Sequence, residues 1–143
     1  MAITAFIFSN FAQKAGTSEF AALSGNANIK VTLHPTAPSQ ELDVYMADLP
    51  AELADPSYTA GGQALTGFLV TQTNKVVKLD ADDITFSNLS GTFRYVVLRD
   101  ATSGVAATEP LIAYLDLGAN VTPAAQDYKI TWHASGITTH TAA

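Results

Sequence analysis

The sequence contains no cysteine among its 143 residues. This excludes a disulfide framework, a thiol nucleophile and a thiolate metal site, and it leaves the redox compartment open. Charged residues are also scarce, at 14%, against about 25% in typical soluble domains. Hydrophobic residues reach 48%. A surface so poor in charge suits a protein whose exterior is largely covered by neighbouring molecules.

Basic residues are few and scattered. Seven Lys and Arg face thirteen Asp and Glu, which gives a formal net charge of −6. Because affinity for phosphate requires clustered Lys and Arg, nucleic acid is not expected as a partner. The seven basic positions are Lys14, Lys30, Lys75, Lys78, Arg94, Arg99 and Lys129.

Long hydrophobic runs are missing as well. The apolar segment at residues 2–8 has no basic residue before it and is far too short to span a bilayer. We therefore expect neither a signal peptide nor a membrane anchor, no membrane partner, and synthesis in the cytoplasm of the producing cell.

Alternating polarity predicts two half-exposed strands. Residues 29–34 place Ile29, Val31 and Leu33 on one face and Lys30, Thr32 and His34 on the other. Residues 41–46 repeat this pattern. The inward residues predicted for the second strand are Leu42, Val44 and Met46, and the outward ones are Glu41, Asp43 and Tyr45.

Further strands are indicated by short β-branched and aromatic runs between turn residues. Two of them have apolar residues at both odd and even positions, which is typical of central strands buried on two sides. The last run alternates and points the single tryptophan, Trp132, into the core. These runs are 67–71, 75–79, 83–87, the central pair 93–99 and 110–118, and 127–133.

About eight short strands with regular turn signals predict an all-β, single-domain antiparallel β-sandwich or jelly roll. Helix is expected only between Phe11 and Leu23, in a segment interrupted by Gly16. We divide the chain into an N-terminal arm, residues 1–25, and a β-sandwich domain, residues 26–143. The longest irregular connection is predicted at residues 50–66.

Histidines offer no metal site, because none has another histidine or an acidic residue at a ligand-like short spacing. Strand parity predicts His34 and His133 on the surface, and His140 lies in the uncharged tail.

Asp80, Asp82 and Asp83 lie together between two strands, and oxygen-rich loops of this kind can bind calcium. The segment lacks the glycine and the distal glutamate of an EF-hand loop, so a solvated acidic turn is the favoured interpretation.

Catalytic signatures are missing. There is no GxSxG elbow, and no serine lies beside a suitable histidine and aspartate. The Gly61-Gly62 pair lacks the following lysine of a phosphate-binding loop and is interpreted as a turn or bulge. We expect no enzyme activity, no cofactor and no metal.

The N-terminal segment is rich in apolar and aromatic residues, namely Ile3, Phe6, Phe8 and Phe11. Two interpretations stay open. The segment is either the first core strand or an arm that packs on a neighbouring subunit, since exposed aromatic surface is usually an interface. These four residues are the candidate interface residues.

Four segments of the second half resemble a family of tailed-bacteriophage virion proteins encoded among the head and tail structural genes. They are YTAGGQALTG (58–67), DADDITFSNLSGTFRYVVLRD (80–100), PLIAYLDLG (110–118) and DYKITWHASGI (127–137). The resemblance covers most of the chain after Tyr58, and the first half matches more loosely. The shared pattern consists of strand and turn sequences and contains no catalytic residue.

The resemblance implies a structural protein of the virion. It points to a decoration or cement protein on the capsid exterior that binds the major capsid protein and copies of itself as a homotrimer. The acidity favours the exterior, because a protein lining the interior would repel packaged nucleic acid. The alternatives are a tail or head-to-tail connector component, or a module that binds a receptor or carbohydrate.

Overall fold

The computed structural model describes residues 4–9, 11, 24–74, 76–133 and 136–141. The described chain is all-β, as the sequence predicts, with two short 3₁₀ helices at Met46–Asp48 and Ala106–Thr108. The helix predicted between Phe11 and Leu23 lies almost wholly outside the described residues. The strands are β1 (Thr4–Ile7), β2 (Ile29–His34), β3 (Gln63–Ala64), β4 (Leu69–Thr73), β5 (Val76–Asp80), β6 (Ile84–Leu89), β7 (Phe93–Asp100), β8 (Leu111–Val121), β9 (Gln126–Ile130) and β10 (Thr138–Thr141).

The strands form three antiparallel sheets. The main sheet has five strands in the order β1-β8-β7-β2-β3. A three-stranded sheet has the order β10-β5-β4, and β6 pairs with β9 in the third. The two segments predicted as central strands are β7 and β8, which pair with each other in the middle of the main sheet. This position explains why apolar residues occupy both odd and even positions of the two strands.

The principal core lies between the main sheet and the two smaller sheets. Its buried residues come from β2, β7 and β8 on one side and from β5, β6 and β9 on the other. The opposite face of the main sheet carries a second, smaller apolar cluster made of Phe8, Val97, Leu111 and Tyr114. Both faces of the main sheet are therefore covered by apolar packing.

Strand β2 is not half-exposed, and that prediction was wrong. Both Thr32 and His34 are 0% exposed. The face that they occupy is covered by the long connection after β2. In it, the Pro50 and Ala51 carbonyls contact His34, and Gly62 lies against Thr32. Alternation along a strand identifies a polar face, but it does not reveal that a distant segment covers that face.

The strand predicted at residues 41–46 is absent, and Leu42 is 80% exposed instead of buried. This segment forms a turn followed by the first 3₁₀ helix. Asp43 accepts a hydrogen bond from the Ser39 amide at 2.7 Å, and Asp48 accepts from the Tyr45 amide at 2.9 Å. Short acidic side chains that bind nearby amides compete with strand pairing, which explains the failure of the prediction.

The Gly61-Gly62 pair is a turn, as predicted, with φ angles of +92° and +75°. A Cβ atom on Gly62 would lie 1.8 Å from the Val31 carbonyl oxygen. Only glycine allows the backbone to approach β2 this closely. The pair therefore returns the connection between β2 and β3 to the sheet.

Candidate functional site

Strand β1 is the edge strand of the main sheet and pairs with β8, with Phe6 opposite Tyr114. The contact continues beyond the strand, where the Phe8 amide donates to the Ile112 carbonyl at 3.2 Å. The Ile7 carbonyl accepts a hydrogen bond from the Gln40 side chain at 2.9 Å. Residues 4–8 thus extend the same sheet to which β2, β7 and β8 belong.

Four aromatic rings pack together beside this edge, and we call them the aromatic face: Phe6, Phe8, Tyr95 and Tyr114. Tyr114 lies at the centre, with ring centroids 4.9 Å from Phe6, 5.3 Å from Phe8 and 6.5 Å from Tyr95. Phe6 and Tyr95 are half-buried, so part of each ring reaches the surface. The arrangement follows from the register, because cross-strand neighbours on one face contact each other.

An ion pair borders the aromatic face. Arg94 binds Asp116 through two hydrogen bonds, at 2.7 Å and 3.0 Å, and its guanidinium carbon lies 5.5 Å from the Tyr95 ring centroid. The hydrogen bond from Arg94 lowers the pKa of the Asp116 carboxyl, and the Gly118 amide lowers it further. Both groups therefore stay charged near neutral pH, and the pair carries no net charge.

The four candidate interface residues occupy different environments. Phe8 is 1% exposed and belongs to the core of its own chain, as expected if the segment is a core strand. Phe6 keeps part of its ring at the surface, and Phe11 packs against the principal core. Ile3 lies outside the described residues. Phe6 and Phe11 are both half-buried, and Phe6 lies on the edge strand of the main sheet, where a neighbour can contact it.

Sequence reasoning missed Arg94, Tyr95, Tyr114 and Asp116 as parts of this surface. Tyr95 and Asp116 are partners in the β7–β8 register, as are Val97 and Tyr114. A prediction of the register between β7 and β8 would have placed these residues next to each other. Apolar residues occupy both odd and even positions of β7 and β8, so the sequence does not show which residues share the outer face.

A buried polar network lies on the same face of the main sheet, under a segment that we call the strap, residues 50–61. Arg99 and Glu109 form an ion pair at 2.6 Å, with side chains only 4% and 8% exposed. Arg99 also donates to the Gly61 carbonyl at 2.9 Å. Glu52 accepts from the Gly61 amide at 2.9 Å, so both polar groups of that peptide position are bound.

His34 belongs to this network, so the prediction of a surface histidine was wrong for this residue. Its Nδ1 atom lies 3.0 Å from the Pro50 carbonyl, and its Nε2 atom lies 2.8 Å from the Thr32 hydroxyl. Burial lowers the pKa of the imidazole, which favours the neutral form. Tyr58 donates to Glu52, and burial together with this carboxylate raises the pKa of the phenol.

The acidic turn at residues 80–83 divides its carboxylates among different partners. Asp80 binds Lys78 at 3.1 Å, and Asp83 binds Lys129 at 3.2 Å. Asp82 accepts from the Thr66 hydroxyl at 2.9 Å. Within the part of the chain that the structure describes, no group of three or more histidine or acidic side chains is arranged to hold a metal ion.

The other two histidines lie in the last part of the chain. His133 is exposed, as predicted. The backbone of His140 lies in β10, opposite Val77 of β5, so the predicted tail includes a strand.

A cavity of about 380 Å³ is lined by residues of β8, of β9 and of the segment after β9. Its walls include Leu115, Leu117, Tyr128 and Trp132, with Lys129 among its polar residues. Trp132 is 8% exposed, as the predicted inward orientation requires, and its indole donates to the Asp82 carbonyl at 2.9 Å. Burial raises the pKa of the Tyr128 phenol.

The described residues include no helix with the length and apolar character needed to cross a membrane. Comparisons with known proteins return no matching family model, no matching curated protein and no matching solved structure.

Proposed function

We propose that this protein is a structural component of a tailed-bacteriophage virion, a decoration or cement protein on the capsid exterior. In this role it binds neighbouring major capsid subunits and copies of itself, as a homotrimer, and it performs no catalysis. The observation that carries the proposal is the aromatic face with its Arg94–Asp116 pair, at the edge of the main sheet. Tyrosine and arginine are enriched among the residues that dominate binding energy in protein interfaces.

The chemistry of this surface suits association. Phe6 and Tyr95 offer rigid aromatic area, and Tyr114 supports both rings from beneath. Tyrosine loses little conformational entropy on binding, because its side chain has only two rotatable angles. The paired charges of Arg94 and Asp116 add no net repulsion, although the whole chain carries a charge of −6. A partner that buries about 800 Å² on each side would cover this face and its surroundings.

Acidity supports a position outside the capsid. A net charge of −6 is repelled by packaged nucleic acid but is tolerated on the outer surface. Repeated weak contacts around a symmetric shell also add up, so each single contact needs only moderate affinity. The alternatives, a tail or connector component and a receptor-binding module, differ from this role in copy number.

Tyr95→Ala is expected to weaken binding to the particle at least about 30-fold, which corresponds to a hot-spot loss of about 2 kcal/mol. Tyr95 is half-buried and lies at the rim of the aromatic face, so the fold should persist. Binding is measured by co-sedimentation of purified protein with particles assembled without it. Circular dichroism confirms that the variant is folded.

Val105→Ala is the matched control, because Val105 is an apolar residue that is 56% exposed and lies in the loop after β7, outside the aromatic face. We expect this variant to bind like the natural sequence. Unchanged binding by folded Tyr95→Ala would reject the aromatic face as the contact surface.

A further inference from the structure

The strap is held to the main sheet by apolar packing and by hydrogen bonds. Leu53 and Tyr58 belong to the principal core, and two buried residues, His34 and Arg99, provide polar contacts at its ends. His34 contacts the Pro50 and Ala51 carbonyls at one end of the strap, at 3.0 Å and 3.2 Å. Arg99 contacts the Gly61 carbonyl at the other end. Between these ends, the Tyr58 hydroxyl accepts from the Leu33 amide at 3.3 Å. The two ends of the strap therefore depend on the hydrogen-bonding state of a few side chains, and its middle on packing in the core.

The surroundings of His34 favour the neutral ring. Two carbonyl oxygens face Nδ1, so that atom carries the ring proton. Nε2 then accepts a hydrogen bond from the Thr32 hydroxyl. A second proton on Nε2 would turn this acceptor into a donor and leave the Thr32 hydroxyl proton without its partner. Both residues are 0% exposed, so bulk water does not reach them to compensate.

Charged groups around the imidazole oppose one another. Glu52 of the strap attracts a proton to His34, and Arg99 of β7 repels it. Tyr58 of the strap is neutral and binds Glu52, and Glu109 is paired with Arg99. Desolvation is the largest influence, and it disfavours the charged ring.

Within the described part of the chain, Arg99 has an unsatisfied hydrogen-bond donor when the strap is closed. Its Nη1 atom is buried and has no hydrogen-bond partner among the described residues. A buried donor that is left unsatisfied loses the hydrogen bonds that water would give it in the open state. Opening of the strap would give this donor access to water.

We infer that the strap is an acid-opened clamp: proton uptake by His34 detaches residues 50–61 from β2 and β7. Opening returns the imidazole, Arg99 and Glu52 to water. It also exposes the side chains of Leu53 and Tyr58, which are 6% and 7% exposed in the closed form. The inference rests on the network alone and does not depend on the proposed function.

The direction of the pH dependence follows from the two states. In the open strap His34 titrates near its ordinary pKa of 6.5, and in the closed strap its pKa is lower. Above the open-state pKa, neither state gains a proton and opening is independent of pH. Between the two pKa values the open form binds one more proton, so the opening equilibrium rises about tenfold per pH unit on acidification.

Hydrogen–deuterium exchange of the full chain tests the clamp between pH 7.5 and pH 5. Protection factors, which correct for the chemical exchange rate, should fall about tenfold per pH unit in the strap below the open-state pKa. They should stay constant in β7 and β8. His34→Gln should abolish this fall, because an amide can donate to Pro50 and accept from Thr32 but does not titrate.

His133→Gln is the matched control, since His133 is exposed and should leave the effect intact. If His34→Gln does not fold, histidine NMR of the natural sequence replaces it. The His34 titration midpoint should then lie below 6.5 and coincide with the loss of strap protection. A strap that stays protected while His34 titrates, or a pH effect that persists in folded His34→Gln, would overturn the inference.

Discussion

Glu109→Ala is expected to lower the free energy of unfolding by about 3 to 5 kcal/mol, because it leaves Arg99 charged and buried without its carboxylate. The Arg99 side chain is only 4% exposed, so water cannot replace the lost partner. Loss of the ion pair would also weaken the contact between Arg99 and the Gly61 carbonyl of the strap. Urea unfolding followed by tryptophan fluorescence measures the loss.

Lys129→Ala provides the contrasting case. Its ion pair with Asp83 has side chains 59% and 34% exposed, and exposed pairs contribute about 0 to 1 kcal/mol. The double variant Arg99→Met/Glu109→Leu should recover much of the stability lost in Glu109→Ala, since it removes both charges together. A Glu109→Ala variant as stable as Lys129→Ala would contradict the buried pair.

Phe8→Ala should be equally severe, with an expected loss of about 3 to 5 kcal/mol in the free energy of unfolding. Phe8 is 1% exposed and packs on Val97, Leu111 and Tyr114 within its own chain. Truncation would leave a cavity on this face of the main sheet. Thermal and chemical unfolding of the isolated protein at low concentration measure the loss without any neighbour present.

Phe6→Ala is the companion variant, because Phe6 is half-buried and stacks on the same Tyr114 ring. We expect it to lose clearly less stability than Phe8→Ala. If Phe8→Ala leaves the isolated chain as stable as the natural sequence, Phe8 does not pack in its own core. The interpretation of the N-terminal segment as an arm on a neighbouring subunit would then be restored.

The central strands could be predicted from the sequence because the information is local. The runs at residues 93–99 and 110–118 are apolar at both odd and even positions, which predicts the two strands that the structure has as β7 and β8. Trp132 was placed correctly by the alternation of its own segment. In each of these cases the side chains along one short run carry the whole signal.

Burial of His34 could not be predicted in the same way. The strap that covers His34 follows 16 positions later at Pro50, and nothing in the alternation of β2 indicates that contact. The ion pair between Arg99 and Glu109 likewise joins the end of β7 to the segment before β8. Such contacts depend on how the loops fold back over the sheet.

The aromatic face was only partly visible in the sequence. Phe6 was selected for its aromatic character, but Tyr95 and Tyr114 join it through the pairing of β1, β7 and β8. Composition does not indicate which residues share this face, and the register of the strands does. Residues 41–46 show the opposite failure, because local hydrogen bonds from backbone amides to Asp43 and Asp48 replaced a strand that alternation favoured.

The copy number of this protein in purified virions tests the central claim most directly, and quantitative mass spectrometry against the major capsid protein measures it. A decoration or cement role predicts an amount comparable to that of the major capsid protein, because the contact repeats over the whole shell. A value of only a few copies per particle would contradict this role and move the protein to the tail, the connector or a receptor-binding position.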